Sequence, residues 1–300
     1  MVSITKRKIG KNLYYSLQYS YRDKGKVKNL YKEIGKEIPS DIERIKDEFI
    51  EEIATKRWIQ TIDQKRKFYV SKINKLSDFL KMEHLREFGI RFTYHSNKIE
   101  GSTLTLREVA LAVNEPNVPI NKSTYDIIEA KLHMQLYENI INSDKNSELS
   151  MELVLKWHES LFSFHSNKVN FAGIIRKGQI YISGSNYAPP PGGVGCEILI
   201  KDLFKWYDDN KNIIHPVLLA CLMHFHFVSI HPFEDGNGRI TRLIMNYILF
   251  KNNYPMFDIH DNIRKSYYNA LERSNLKEDK MIFIGWFFRN YIKFIDSLKY

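Results

Sequence analysis

The stretch His231-Pro-Phe-Glu-Asp-Gly-Asn-Gly-Arg-Ile-Thr-Arg242 decides the fold and the chemistry of this chain. Its two glycines allow backbone conformations with positive φ and a close approach to a ligand. The apolar spacing that follows, from Ile240 to Phe250, predicts a helix. A glycine turn that opens a helix leaves unpaired N–H groups at the positive end of the helix dipole, so the stretch predicts an anion site.

The charged side chains of this stretch suit a phosphate ligand. Arg239 and Arg242 are three residues apart and share one face of the first helical turn, where each can bind phosphate oxygens. Asp235 offers the oxygen ligand that Mg²⁺ requires, and His231 precedes the turn, where it can accept a proton from an attacking hydroxyl. The sequence lacks the P-loop pattern and the third glycine of a dinucleotide fingerprint. We therefore predict a nucleotide site of another kind.

The same stretch matches the pattern His-x-Phe-x-(Asp/Glu)-Gly-Asn-Gly-Arg-x-x-Arg at every fixed position, and over about residues 86–298 the chain resembles the Fic (Fido) family. The resemblance implies a mainly α-helical bundle with a short β-hairpin flap, and transfer of AMP from ATP to a hydroxyl of a target protein. It assigns His231 as the base, Phe233 as the loop anchor and Asp235 as the Mg²⁺ ligand. The ATP contacts that it implies in this stretch are Gly236, Asn237, Gly238, Arg239 and, for the γ-phosphate, Arg242.

A second stretch, Ser96-Asn-Lys-Ile-Glu-Gly101, resembles the inhibitory pattern (Ser/Thr)-x-x-x-Glu-(Gly/Asn) of the same family. Because it precedes the catalytic motif, the chain resembles the group with an N-terminal inhibitory helix. The resemblance implies that Glu100 bonds Arg242 and blocks productive ATP binding. The same residues also suit an ordinary helix end with Gly101 after its last turn.

Two further stretches complete the site that the resemblance implies. Residues 179–191 combine a short alternating run with turn residues and resemble the family's flap, which holds a target segment by strand addition; a proline-rich connector is the alternative. The flap residues expected to dock the target are Ile182, Ser183 and Gly184. Tyr268 and Asn275 resemble the pair that lines the adenine pocket in many family members.

Other histidines of the chain are interpreted as structural. His224 and His226 are two apart on an apolar helical stretch, so they face different sides and a shared metal is not expected. His158-Glu159 lacks the second histidine of a zinc-protease signature.

The formal charge of +10 is concentrated at the start of the chain, where residues 1–37 carry a net charge of +7. The tyrosine-rich run Leu13–Tyr21, the turn Arg22–Gly25 and the run Val27–Tyr31 predict a hairpin. This basic β-rich arm could bind nucleic acid, recruit an acidic target, or pack on the helical body as a surface element. Beyond it, Ser40–Glu43 predicts a capping box and the following residues predict amphipathic helices.

Length and composition fit a folded chain with a substantial core, since 43% of its 300 residues are hydrophobic. We predict a β-hairpin arm over residues 1–38, a helical region over 39–85 and a Fic domain over 86–300. Two cysteines, Cys196 and Cys221, are too few for a disulfide framework and favour a reducing cytoplasm. The sequence shows no signal peptide, and no stretch is apolar enough to cross a membrane.

These patterns predict a protein adenylyltransferase that moves AMP from Mg²⁺·ATP to a Ser, Thr or Tyr hydroxyl of a target protein, itself included, and is inhibited by Glu100. Removal of AMP from a modified protein, or transfer of another phosphate-containing group, would use the same site. A nucleic-acid-binding regulator with a nucleotide-sensing Fic body is an alternative from another class. The target, the direction of reaction and the state of homo-oligomerisation stay open.

Overall fold

The computed structural model describes residues 1–23, 25–115, 122–144, 147–164 and 169–298. Most of these residues are helical and one small sheet lies at the N-terminus, which confirms the predicted mainly α fold. A π-helical stretch, Thr55–Ile59, joins the first two α-helices. The α-helices are α1 (Ile42–Ala54), α2 (Gln60–Ile73), α3 (Asp78–Ile99), α4 (Leu106–Asn114), α5 (Thr124–Ile141), α6 (Met151–Phe162), α7 (Val194–Asn210), α8 (Pro216–Ile230), α9 (Asn237–Lys251), α10 (Arg264–Leu276) and α11 (Lys280–Ser297).

The N-terminal arm is a three-stranded antiparallel sheet in the order β1-β2-β3. The predicted hairpin is present as its second and third strands, with Tyr21 opposite Lys28. Lys24 of the predicted turn lies outside the described residues. The first strand was not predicted, because its alternation is dominated by lysine and arginine and few of its side chains are apolar. The strands are β1 (Val2–Ile9), β2 (Asn12–Asp23) and β3 (Lys26–Gly35).

The sheet packs on the helical body through the middle of β2. Leu17 and Tyr19 are buried in the main core. Arg57 donates a hydrogen bond to the Tyr19 hydroxyl at 2.7 Å, and its guanidinium lies 4.1 Å from the centre of the Tyr21 ring. Of the three interpretations of the basic arm, these contacts support a surface element packed on the helical body.

The start of α1 corrects the predicted capping box at Ser40–Glu43. Asp41 is the residue before the first helical turn, and its side chain makes no capping hydrogen bond to a backbone N–H of that turn. The Asp41 carboxylate instead accepts hydrogen bonds from the side chain of Arg44 in the same turn, at 3.0 Å from Nε. An ion pair with a neighbouring arginine has replaced the backbone cap that the pattern predicted.

One buried cluster extends from Leu17 to Ile295 and includes residues of all three predicted regions. The predicted boundary between residues 85 and 86 falls inside α3, so α3 joins the helical region to the Fic domain as one continuous element. Among the described ranges, no helix is both long and apolar enough to span a lipid bilayer.

The centre of the fold is the helix pair α8 and α9. Every residue of α8 from Val217 to Phe225 is buried, and most of α9 is buried as well. The residues between the two helices, 231–236, belong to the diagnostic stretch. Because both helices are fixed by the core, the short loop between them is held at one end of a rigid pair. His224 is buried in this packing, whereas His226 is partly exposed.

Candidate active site

Phe233 and Asn237 hold the loop between α8 and α9 in place. Phe233 is 1% exposed and stacks on the His158 ring with a centroid distance of 3.7 Å. The Asn237 side chain accepts a hydrogen bond from the Phe233 N–H at 2.9 Å and donates one to the Phe233 carbonyl at 2.8 Å. Phe233 is therefore an anchor of the loop, in line with the resemblance. The Asn237 amide, which the resemblance assigned to phosphate contacts, uses both ends to close the loop.

Glycines are required at the start of α9 for two different reasons. Gly236 has φ +78°, a left-handed conformation, and a Cβ there would lie 2.7 Å from the Phe162 ring. Gly238 has no unusual φ, but a Cβ there would lie 2.2 Å from a carboxylate oxygen of Glu100. No side chain caps the first turn of α9. Its N–H groups are therefore able to bind an anion.

His231 ends α8 in a left-handed conformation, with φ 54° and ψ 60°. Its Nδ1 lies 3.2 Å from the Val228 carbonyl, which can only accept, so Nδ1 carries the proton and Nε2 keeps its lone pair. Burial lowers the pKa of His231 below its usual value, because desolvation disfavours the charged imidazolium. At neutral pH the side chain is thus a neutral imidazole with one basic nitrogen.

A cavity of about 490 Å³ opens at this loop and contains most of the predicted site. A volume of this size suits a ligand as large as a nucleotide. Ser96, Gly101 and Arg239 are predicted site residues that do not line it. The predicted residues that line it are Glu100, Ile182, Ser183, Gly184, His231, Asp235, Gly236, Asn237, Gly238, Arg242, Tyr268 and Asn275.

Asp235, two residues before α9, and Arg239, in the first turn of α9, form an ion pair with 3.5 Å between Oδ1 and Nη2. The Asp235 carboxylate lines the cavity and accepts a hydrogen bond from the Gly236 N–H at 2.6 Å. Arg239 is almost fully buried and donates to Glu129 of α5 at 2.7 Å and to Asp235 at 3.5 Å. In this conformation Glu129 and Asp235 bind the guanidinium of Arg239, to which the resemblance assigned a phosphate contact.

Arg242 and Glu100 form an ion pair at the back of the cavity. The distance from Arg242 Nη2 to Glu100 Oε1 is 2.7 Å, and Arg242 is 1% exposed while Glu100 is 32% exposed. Ser96 completes the site, because its hydroxyl accepts from Arg242 Nε at 3.0 Å and its carbonyl accepts from Nη2 at 2.9 Å. The buried Nη1 has no hydrogen-bond partner among the described residues. Glu100 directly follows the last turn of α3, and Gly101 has φ +107°.

The segment predicted as a β-hairpin flap lies over the cavity but contains no strand. Residues 179–191 are extended with a turn, in which the Ser185 N–H bonds the Ile182 carbonyl at 3.0 Å. Another element of the fold holds the segment in place, since Glu272 of α10 accepts a hydrogen bond from the Asn186 N–H at 2.6 Å. These contacts to another element, together with three consecutive prolines, replace the cross-strand pairing that the alternation predicted.

Tyr268 and Asn275, the predicted adenine-pocket pair, lie on α10 and both line the cavity. The Tyr268 hydroxyl donates to the Ile99 carbonyl at 3.4 Å, so its ring reaches across to the end of α3. Asn275 donates to the Leu271 carbonyl one turn earlier on the same helix. Tyr268 thus borders both the cavity and the segment that carries Glu100.

Two residues that shape the site were not predicted. Arg176 is 1% exposed and donates to the carbonyls of His231 at 2.7 Å, Gly178 at 2.8 Å, Pro190 at 2.5 Å and Ile230 at 3.2 Å. Arg176 therefore links the flap segment to the backbone of His231 through hydrogen bonds. An arginine in the short polar run Arg176-Lys177-Gly178 gives no sequence signal of burial.

His158 is the second residue that was missed. It is buried, its Nε2 lies 3.0 Å from the Asp235 carbonyl, and its Nδ1 accepts from the Gly173 N–H at 2.8 Å. Burial lowers its pKa to about 4, so it stays neutral and holds the loop carbonyl. Its position in the last part of α6, four residues before Phe162, carried no pattern that linked it to the motif.

Comparisons with known proteins agree with this geometry. A family model for the Fic/DOC family matches residues 148–249. Protein adenylyltransferase Fic of Drosophila mojavensis is 31% identical over 227 residues, which are 75% of this chain and 44% of that protein. The protein of the same name from Aedes aegypti is 30% identical over 232 residues, 76% of this chain and 45% of that protein. The chain thus spans less than half the length of these relatives.

Solved structures share the fold. A Fic domain containing signalling protein from Bacteroides thetaiotaomicron superposes with a TM-score of 0.70 and 25% identity, over 79% of this chain and 94% of that chain. A Fic family protein from Desulfovibrio desulfuricans superposes with a TM-score of 0.66 and 25% identity, over 80% of this chain and 73% of that chain. The family match, the curated relatives and the shared fold lead to one conclusion: this chain belongs to the Fic/DOC family.

Proposed function

We propose that the chain is a protein adenylyltransferase that moves AMP from Mg²⁺·ATP to a Ser, Thr or Tyr hydroxyl of a target protein. The observation that carries the proposal is that His231, the start of α9 and Arg242 all line one cavity. A base, an anion site and a buried cation are the parts that phosphoryl-group transfer needs. The names of the curated relatives, protein adenylyltransferase Fic, support the same activity.

The triphosphate would bind at the N-terminus of α9, where the N–H groups of the first turn have no side-chain cap. Arg242 would receive the outermost phosphate through Nη1, a buried donor without a hydrogen-bond partner among the described residues. Tyr268 and Asn275 would border the adenine. An unpaired buried donor is costly, so a ligand oxygen at this point would restore a lost hydrogen bond.

Asp235 fits the expected Mg²⁺, because its carboxylate lines the cavity beside the helix start and hard cations prefer carboxylate oxygens. When bound, the ion would neutralise charge on the phosphate oxygens. Glu234 also lines the cavity and is the neighbouring acid. The Asp235 carboxylate is the one held in place, by the Gly236 N–H.

His231 would act as the general base. Nε2 would take the proton of the target hydroxyl as its oxygen attacks the α-phosphorus of ATP, and the bond from that phosphorus to the bridging oxygen would break, with pyrophosphate leaving. The Nδ1 contact with the Val228 carbonyl keeps the lone pair on Nε2. General base action of this kind is worth about 10²- to 10⁴-fold in rate.

Target docking would use the segment around Ile182, Ser183 and Gly184, which lines the cavity. The neighbouring Tyr181 side chain is 81% exposed. An extended backbone at this position offers N–H and C=O groups to which a target segment can add as a strand.

Glu100 would inhibit the reaction. Its carboxylate neutralises Arg242 and lies against the start of α9, where it repels a triphosphate. Relief of even about 1.4 kcal/mol corresponds to about tenfold in rate. The wild-type chain is therefore expected to be nearly inactive until Glu100 is displaced.

The test is incubation of the purified chain with Mg²⁺, a cell lysate and α-labelled ATP, using wild type and Glu100→Gly. We expect protein label to rise about tenfold or more in Glu100→Gly, and to vanish when His231→Ala is added or when γ-labelled ATP is used. Glu115→Gly is the matched control, because Glu115 also follows a helix's last residue but does not line the cavity. Label on the purified Glu100→Gly chain from γ-labelled ATP without lysate, or no label above that of lysate alone from α-labelled ATP, would contradict the proposal.

Removal of AMP from a modified protein is a second candidate, because Glu100 lines the same cavity as His231 and its negative charge favours protonation of that histidine. In that direction Glu100 would orient a water for attack. Incubating wild type and Glu100→Gly with protein already carrying labelled AMP separates the two: release by wild type only, without transfer by Glu100→Gly, would favour removal.

A further inference from the structure

Three side chains outside the cavity form a cluster of potential metal ligands. His95 lies on α3 one residue before Ser96, while Asp258 and His260 lie on the segment between α9 and α10. Asp258 Oδ2 is 3.6 Å from Nε2 of His95 and 3.6 Å from Nε2 of His260. One ligand atom from each of the three residues lies within 4.8 Å of the others. Ligands bound to one tetrahedral ion at its usual bond lengths lie roughly 3.4 Å apart, so the cluster is close to that spacing.

Among the described residues, the Asp258 carboxylate is buried without a hydrogen bond. The residue is 2% exposed, and both of its carboxylate oxygens are buried without a hydrogen-bond partner among the described residues. A buried carboxylate without partners is costly, because desolvation is not offset by hydrogen bonds or by a paired charge. A cation held between Asp258 and the two imidazoles would supply the missing partner.

His95 is oriented for this purpose by a second carboxylate. Its Nδ1 lies 3.0 Å from Asp261 Oδ1, closer than the Asp261 backbone nitrogen at 3.4 Å. The shorter contact, with the carboxylate, assigns the proton to Nδ1 and leaves the lone pair on Nε2, which faces Asp258. This carboxylate–histidine arrangement is the one that orients histidine ligands in metal sites.

We propose that His95, Asp258 and His260 bind a divalent transition-metal ion, Zn²⁺ being the best match, at a site separate from the nucleotide cavity. Two imidazole nitrogens and one carboxylate oxygen are ligands that Zn²⁺, Co²⁺ and Ni²⁺ prefer, whereas Mg²⁺ and Ca²⁺ prefer oxygen alone. Water would complete the coordination.

Binding requires one adjustment. The two imidazole rings are stacked, with centroids 4.3 Å apart and planes at 12°. Because a bound metal lies in the plane of each imidazole, the rings must tilt towards each other. His260 can make this movement, since its side chain is 44% exposed, whereas His95 is 13% exposed and held by Asp261.

The site can be tested on the whole chain after treatment with EDTA and dialysis. Calorimetric titration with Zn²⁺ should give one equivalent per chain in wild type, and Co²⁺ should produce an intense visible absorption band. His260→Ala and Asp258→Asn should weaken Zn²⁺ binding by tenfold or more, and Asp261→Asn by roughly 10- to 100-fold through loss of the oriented His95. Zn²⁺ should also raise the thermal midpoint of wild type but not of His260→Ala.

His84→Ala is the matched control, because His84 lies on α3 outside the cluster. It should bind Zn²⁺ and Co²⁺ as wild type does. Circular dichroism on each variant, and His260→Gln as a second change at the exposed position, separate lost binding from lost folding. The proposal fails if wild type binds Zn²⁺ no more tightly than folded His260→Gln, or if the Co²⁺ band is absent from wild type.

Discussion

A Cβ atom at Gly238 would lie 2.2 Å from Oε1 of Glu100. The first turn of α9 is therefore in direct contact with the side chain of Glu100, the residue that follows α3. The carboxylate lies where an anion at the start of α9 would bind, so Glu100 and a phosphate compete for the same space. Under the proposed inhibition, one contact between the Glu100 side chain and the backbone of α9 would govern both control and ligand binding.

Removing the ion pair of Glu100 and Arg242 should lower the stability of the free chain and increase the stabilisation that nucleotide gives. Glu100→Ala leaves Arg242 buried without its carboxylate, and because Glu100 is partly exposed the loss should be on the order of 1–3 kcal/mol, below that of a fully buried pair. A non-hydrolysable ATP analogue should stabilise the variant more than wild type. Urea unfolding with and without the analogue measures both effects, with Glu100→Gln as the control that keeps the side chain's size. Equal stabilisation of all three proteins would argue against competition between Glu100 and nucleotide.

His231→Ala, in the active Glu100→Gly background, should abolish AMP transfer and leave nucleotide binding largely intact. Because burial lowers the pKa of His231, the basic form persists below the usual imidazole value, and the acid limb of the rate profile should lie below about pH 6.5. Transfer rates against pH and calorimetric titration with ATP test the two statements. Near-normal transfer by His231→Ala would remove this residue from the mechanism.

Asp235→Ala should lower activity and the affinity for Mg²⁺ together, while Glu234→Ala should have the smaller effect. Both acids line the cavity, and the Asp235 carboxylate contacts the helix start through the Gly236 N–H. Initial rates measured across a range of Mg²⁺ concentrations compare the two variants directly. A larger loss in Glu234→Ala would reassign the metal ligand to the neighbouring position.

Arg176 is predicted to be a positioning residue. Lysine at this position keeps the charge but cannot bond four carbonyls in a fixed plane, so Arg176→Lys should lower kcat about tenfold or more with little change in the KM for ATP. Lys177→Ala, at the adjacent residue, is the control and should change neither constant. A rise in KM for ATP without a fall in kcat would instead indicate a role in nucleotide binding.

His158 predicts a loss of stability in acid. Its pKa is about 4 in the folded chain and near 6.5 when unfolded, so below about pH 6.5 the unfolded state binds the extra proton. Stability should therefore fall as the pH drops from about 6.5 to 4, by up to about 3 kcal/mol from this residue. Urea unfolding of wild type and His158→Gln over this range measures the slope. Gln cannot titrate, so its slope should be shallower; an identical slope would assign the effect to other buried histidines.

The helical elements and the motif could be predicted because both follow short-range rules. The spacing of apolar residues predicted a helix from Ile240 to Phe250, and α9 spans Asn237–Lys251. The Glu100–Arg242 pair spans 142 positions and was expected only because each end lies in a recognisable pattern. Periodicity alone would not have joined them.

The remaining contacts depend on tertiary packing that no local pattern encodes. The flap segment was expected as a hairpin because its residues alternate, yet Glu272 and Arg176 bind its backbone from other elements. Arg239 was expected on phosphate because it follows the glycine turn, yet Glu129 of α5 holds it. In each case a distant polar residue determined the outcome, and polar residues carry little signal of burial in a sequence.

The continuity of α3 determines how Glu100 can leave Arg242. Moving the whole helix would withdraw Phe88 and Phe92 from the core, at about 1.5–3 kcal/mol for each side chain. Opening only its end breaks the bonds from the Glu100 and Gly101 N–H groups to the carbonyls of Asn97 and Lys98, at about 0.5–1.5 kcal/mol for each bond. Under the proposed inhibition, release of the carboxylate would be a local unfolding event at the end of a helix whose remainder stays in place, with Gly101 as its hinge.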